Sequence, residues 1–99
     1  MHDGRSNEAW RLDLESAGPE QQAALSDLRE ALLRGLRRAL SRHAHVDDSF
    51  LEDIVQDSLL RILERLGQFE GRSRFVTWAT SIAIRTAMSE LRLRRWQDV

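Results

Sequence analysis

Arg74, Trp78, Ser81, Arg85, Met88, Arg92 and Arg95 follow one another at alternating steps of four and three residues, with Trp96 beside the last. At about 100° per residue such steps place all of them on one side of an α-helix. Arginine neutralises phosphates and indole rings stack on exposed bases, so this face has the chemistry to hold single-stranded or melted nucleic acid. The competing reading is that Trp78 and Trp96 pack at the edge of a core and the arginines form a solvated flank. A basic amphipathic helix lying on an anionic membrane is disfavoured by Glu90 and by the modest apolar face.

A second helical segment carries the opposite chemistry. Leu51, Ile54, Val55, Leu59, Ile62 and Leu66 form its core side, while Asp53, Gln56, Asp57, Leu60 and Glu64 gather on the other. Single exposed leucines and solvated acidic faces are ordinary. A large apolar side chain in the middle of carboxylates also suits an anchor for a basic helical partner, with the carboxylates orienting it. His43, His45, Asp47 and Asp48 could bind a metal, but a polar loop with a capping Asp accounts for the same residues, and no metal site or cofactor is assigned. No phosphate-binding glycine loop, Ser-His-Asp set or H-E-x-x-H motif occurs, so no enzyme is expected.

These faces require helices to display them, and the composition supplies little else. The 99 residues include one Pro, five Gly and few β-branched residues, with 41% apolar and 31% charged side chains. That predicts one small all-α domain, a compact bundle of three main helices. Gly18-Pro19 opens a first long helix to about Arg42, with Leu25, Leu28, Leu32, Leu36, Ala39 and Leu40 as its core stripe. After the connection at residues 43–46, Asp47 or Asp48 caps a second helix that ends near Gly67. The loop from Gln68 leads to Ser73, the expected cap of a third helix running from Arg74 to about Trp96 and burying Phe75, Ala79, Ile82, Ala83, Thr86 and Leu93. In residues 1–17, Trp10, Leu12 and Leu14 alternate, and the segment reads as a short helix or a docked arm preceding the domain at 18–99.

The net charge of −1 conceals a strong asymmetry. Residues 1–45 balance seven acids with seven arginines, residues 46–70 set seven acids against Arg61 and Arg65, and residues 71–96 set six arginines against Glu90 alone. Two surfaces for two kinds of partner, one cationic and one anionic, follow from that distribution. All fifteen basic residues are Arg, which favours planar bidentate contacts to phosphate and carboxylate. With no Cys, no apolar run near the roughly 18 residues of a membrane span, and a Met1-His2-Asp3-Gly4 start unlike a signal peptide, a cytoplasmic protein without membrane insertion is expected.

Residues 51–63 read L-E-D-I-V-Q-D-S-L-L-R-I-L, residues 69–78 read F-E-G-R-S-R-F-V-T-W, Ile82-Ala83 follow, and Leu91-Arg92-Leu93-Arg94-Arg95 closes the series. In order and spacing this resembles region 2 of bacterial sigma factors, and among them the extracytoplasmic-function (ECF) group, over about residues 46–96. The resemblance implies that Asp53, Gln56, Asp57, Leu60 and Glu64 bind the coiled-coil clamp helices of the β′ subunit of core RNA polymerase. It also implies that the loop Phe69, Gly71, Arg72 and Ser73 helps capture a base flipped from the promoter −10 element. The third helix would hold the melted non-template strand through Arg74, Trp78, Arg85, Met88, Arg92 and Arg95.

An anti-sigma factor is a further implied partner, and catalysis is not required. Arg85 stands where many members carry Asn, and Ser81 where a basic residue is common, so the resemblance carries no particular −10 sequence. ECF sigma factors continue into a second helical domain that reads the −35 element and is not within these 99 residues, so a fragment of a longer protein is expected. The alternative function is a helical interaction module, a sigma-like decoy or regulator-binding domain, that uses the acidic face and never touches DNA.

Overall fold

Ser6 accepts a hydrogen bond from the Ala9 N–H at 3.0 Å and so starts α1, Asn7–Glu15. This and all that follows comes from a computed structural model, which describes residues 4–97. The helical period brings Trp10 and Leu14 together in the interior and turns Leu12 out, 58% exposed, so the alternating pattern of this segment belongs to a helix with two inward residues. Between the two readings of residues 1–17, the described part is thus a docked short helix; residues 1–3 lie outside the described residues.

Pro19, with no N–H to leave unsatisfied, opens α2, Pro19–Ala39, and Arg37 and Arg38 in its last turn suit the negative end of the helix dipole. The helix stops three residues short of Arg42, because Ser41 to His45 are all exposed and no apolar face remains to hold another turn. Ala39 is exposed rather than in the stripe; Ala24, Ala31 and Leu33 are buried beside Leu28, Leu32, Leu36 and Leu40.

Asp47 caps α3, Asp48–Glu64, accepting from the Phe50 N–H at 2.8 Å, while Asp48 in the first turn pairs with Arg37 at 3.8 Å. Between the two capping candidates the structure selects Asp47. A single 3₁₀ turn, Leu66–Gln68, tightens the end of the segment and buries Leu66. The last helix, α4, spans Phe75–Gln97. Among the described residues there are four α-helices and no strand.

Helix α4 packs against both α2 and α3, and α1 lies on α2. Gly35 leaves room for α4 beside α2: a Cβ there would sit 2.6 Å from Cγ2 of Thr80. The core joins Trp10, Leu28, Leu32, Leu36, Phe50, Val55, Ile62 and Phe75 into one cluster drawn from all four helices. Two buried hydroxyls return to their own helices, Ser58 to the Ile54 carbonyl at 2.6 Å and Thr86 to the Ile82 carbonyl at 2.9 Å. Ala87 joins the inward face of α4, but Leu93 does not: it lies in an open groove between α4 and α3, beside Phe50, Asp53 and Asp57, and is 57% exposed.

Candidate functional site

The outer face of α3 takes its five residues from that helix, and its Asp53 and Asp57 edge borders a groove shared with Ser89, Leu93 and Arg94 of α4. The apolar side of α3 turns inward, with Phe50, Leu51, Ile54, Val55 and Ile62 buried and Leu59 and Leu63 half-buried, so Asp53, Gln56, Asp57, Leu60 and Glu64 face solvent, and Leu60 is 55% exposed. Asp57 pairs with Arg61 one turn on at 3.2 Å, a surface pair of small energetic weight that leaves the carboxylate free to exchange partners. Glu52 at the flank is held by Arg29 of α2. The five residues expected to share a face therefore do share one.

The second surface needs more of the chain. Phe69 was expected at the loop's working surface, but only 8% of it is exposed. Its ring meets Phe75 edge-on at 5.2 Å and Trp78 at 5.1 Å, and Phe75 in turn stacks on Trp10 of α1 at 5.4 Å. Burial of this ring is worth more than its display, since rings packed this way contribute beyond their area alone. Phe69 thus anchors the loop from inside while Glu70, Gly71, Arg72, Ser73 and Arg74 stand out in solvent. Gly71 has φ of 76°, a left-handed conformation that favours glycine and turns the chain sharply at the tip.

Ser73 does not cap α4. Its hydroxyl donates to the Arg74 carbonyl at 3.1 Å, and the Phe75 N–H is taken instead by Oδ1 of Asn7 at 2.8 Å. Beyond the loop, Trp78 is half-buried with one side in the aromatic cluster, so both readings of this residue describe part of it. Arg85, Met88, Arg92 and Arg95 are exposed along the same side, ending at Trp96, 78% exposed. Arg94 points elsewhere: its guanidinium lies over the Phe50 ring at 4.7 Å and pairs with Glu90 at 3.6 Å.

The sequence reading missed Arg34 and Arg38. They line, with Thr77, Thr80 and Ser81, a groove of about 440 Å³ between α2 and α4 that borders the Trp78 side. Their four-residue spacing off the leucine stripe was the available signal, but only the packing of α2 on α4 shows where they lead.

A cationic helix face with an aromatic root, set on the same bundle as an acidic face with a leucine at its centre, can engage a nucleic-acid strand and a basic helical protein together. The family model for sigma-70 region 2 matches residues 28–97. The chain belongs to the sigma-70 region 2 family. No curated protein and no solved structure matches the chain. As a sigma-70 region 2 domain it serves RNA polymerase binding and promoter recognition, in a family of non-enzymatic transcription factors. The match contains both faces and leaves α1 outside it. No helix among the described residues of this sigma domain is long and apolar enough to cross a membrane, and no group of three or more His, Cys, Asp or Glu among them could hold a metal ion.

Proposed function

We propose that this sigma region 2 domain is of the ECF type, docks on the β′ clamp helices through the outer face of α3, and holds the melted non-template strand of the −10 element along α4. The observation that carries the reading is the exposure of Leu60 in the centre of a carboxylate face, on a helix whose other apolar residues are buried or half-buried. A leucine so placed gains by burial against a partner, and Asp53, Gln56, Asp57 and Glu64 around it select a basic helical one.

On α4 the exposed Arg85, Arg92 and Arg95 meet phosphates, and the free side of Trp78 offers a ring for stacking. Arg34 and Arg38 widen that cationic strip across the groove from α2. The exposed tip Gly71-Arg72-Ser73 receives the flipped base, with Phe69 supporting the loop from below. Unstacking a base costs a few kcal/mol, which phosphate and pocket contacts can offset once polymerase holds the complex together.

Co-purification with core RNA polymerase, or with an isolated β′ clamp-helix fragment, tests the reading. The wild-type chain is expected to bind, and Leu60→Asp to weaken binding at least about tenfold while keeping its helical circular dichroism. A folded wild-type chain that does not bind polymerase overturns the proposal. So does a folded Leu60→Asp variant that binds as well as wild type.

A further inference from the structure

We infer that Asn7 of α1 is a positioning residue for base capture, holding the junction between the loop and α4 in the geometry the flipped base requires. The inference rests on the proposed role of the loop and goes beyond it, because α1 lies outside the stretch that matches the family. The carboxamide of Asn7 makes two hydrogen bonds to main-chain atoms two residues apart. Nδ2 donates to the Ser73 carbonyl at 3.0 Å, and Oδ1 accepts from the Phe75 N–H at 2.8 Å. One side chain therefore caps the first turn of α4 and fixes the last residues of the loop at once.

The segment that carries Asn7 is tied to the bundle on either side of it. Arg5 donates to Asp13 of α1 at 3.0 Å and to Asp27 of α2, and its guanidinium lies 4.8 Å from the Trp10 ring centre. The hydrogen bond to Asp27, more than the bond to Asp13, raises its pKa, so it stays charged. Trp10 stacks on Phe75, which begins α4. The exposed tip is thus suspended between two fixed points, the buried ring of Phe69 at one end and the Asn7 carboxamide at the other. Pinning both ends removes conformational freedom that the loop would otherwise lose on receiving the base.

The test uses the full chain with core polymerase and a −10 non-template oligonucleotide carrying 2-aminopurine at the flipped position. Asn7→Ala is expected to weaken capture about fivefold to tenfold, the range for losing such hydrogen bonds, with polymerase binding intact and an unchanged salt dependence. Ser6→Ala removes the cap of α1 without touching the loop and is expected to stay within about twofold of wild type. If Asn7→Ala does not fold, Asn7→Asp keeps the acceptor for Phe75, drops the donor to Ser73, and is expected to show a smaller loss in the same direction.

Capture unchanged in these Asn7 variants overturns the inference, as does an equal loss in Ser6→Ala. A flatter salt dependence would mean that the substitution displaces an arginine from phosphate and not the loop from the base, and also overturns it. Failure of the wild-type polymerase complex to capture the strand would instead overturn the base-capture reading on which the inference stands.

Discussion

The outer face of α3 and the beginning of α4 are assembled in different ways. On α3 every contributing residue comes from one continuous helix, its spacing does the positioning, and the partners it meets on its own surface are local, as in Asp57 with Arg61. At the start of α4 the same small area draws on Asn7 and Trp10 from α1, Phe69 from the loop, and Phe75 and Trp78 from α4 itself. A face made by one helix survives most substitutions on it. A junction made by three segments transmits a change in any of them to the others.

The contrast sharpens most at Phe75 and Leu60. Phe75 is 1% exposed and touches the rings of Trp10, Phe69 and Trp78. Phe75→Ala is expected to cost about 3–5 kcal/mol in chemical denaturation, as buried aromatic truncations do, a large share of the roughly 5–15 kcal/mol available to a domain. Leu60→Asp is expected to cost about 1 kcal/mol or less, from weaker helix propensity and repulsion by Asp57 and Glu64. Comparable losses for the two would place Leu60 in the packing and erase the distinction.

The same contrast explains which parts were legible in the amino-acid sequence. The face of α3 and its cap were readable because both depend on residues three or four apart. So was the Arg and Trp side of α4, whose exposed members keep a helical step from Arg85 to Arg95. The cap of α4 was not, since Asn7 lies 68 residues before its acceptor's partner Phe75 and nothing local distinguishes it from Ser73. Phe69 was misplaced because a lone aromatic in a polar loop carries no period to say which way it points. Leu93 was misplaced for the opposite reason: it keeps the helical period, but it lies in an open groove beside Phe50, Asp53 and Asp57 of α3, and periodicity does not report how closely neighbouring helices pack.

A smaller effect tests how far the setting of α4 depends on α2. In Gly35→Ala the new methyl group meets Cγ2 of Thr80 at 2.6 Å, and overpacking of about 1–3 kcal/mol outweighs the helix-propensity gain of about 1 kcal/mol. A net loss of about 1 kcal/mol is expected by thermal denaturation. In a Thr80→Ala background the obstruction is gone, and Gly35→Ala is expected to become stabilising by about the propensity gain. Because the strain falls between α2 and α4, strand capture should weaken while polymerase binding through α3 does not. Equal weakening of both would show that the two faces are mechanically coupled.

The smallest effect on stability, and the finest separation, lies at the far end of α4. Arg92 and Arg95 are exposed beyond the core, so replacing both with Ala should leave the denaturation midpoint unchanged. If each neutralises one phosphate of a single strand, the slope of log affinity against log salt should flatten by about 0.7 for each arginine removed. Arg94, between them in sequence, is turned onto Phe50 and Glu90, so Arg94→Ala should leave the salt slope where it was and cost a little packing instead. A flattening that appears for Arg94 and not for its neighbours would mean that the strand runs along the α3 side of the helix, which would join the two faces into one surface.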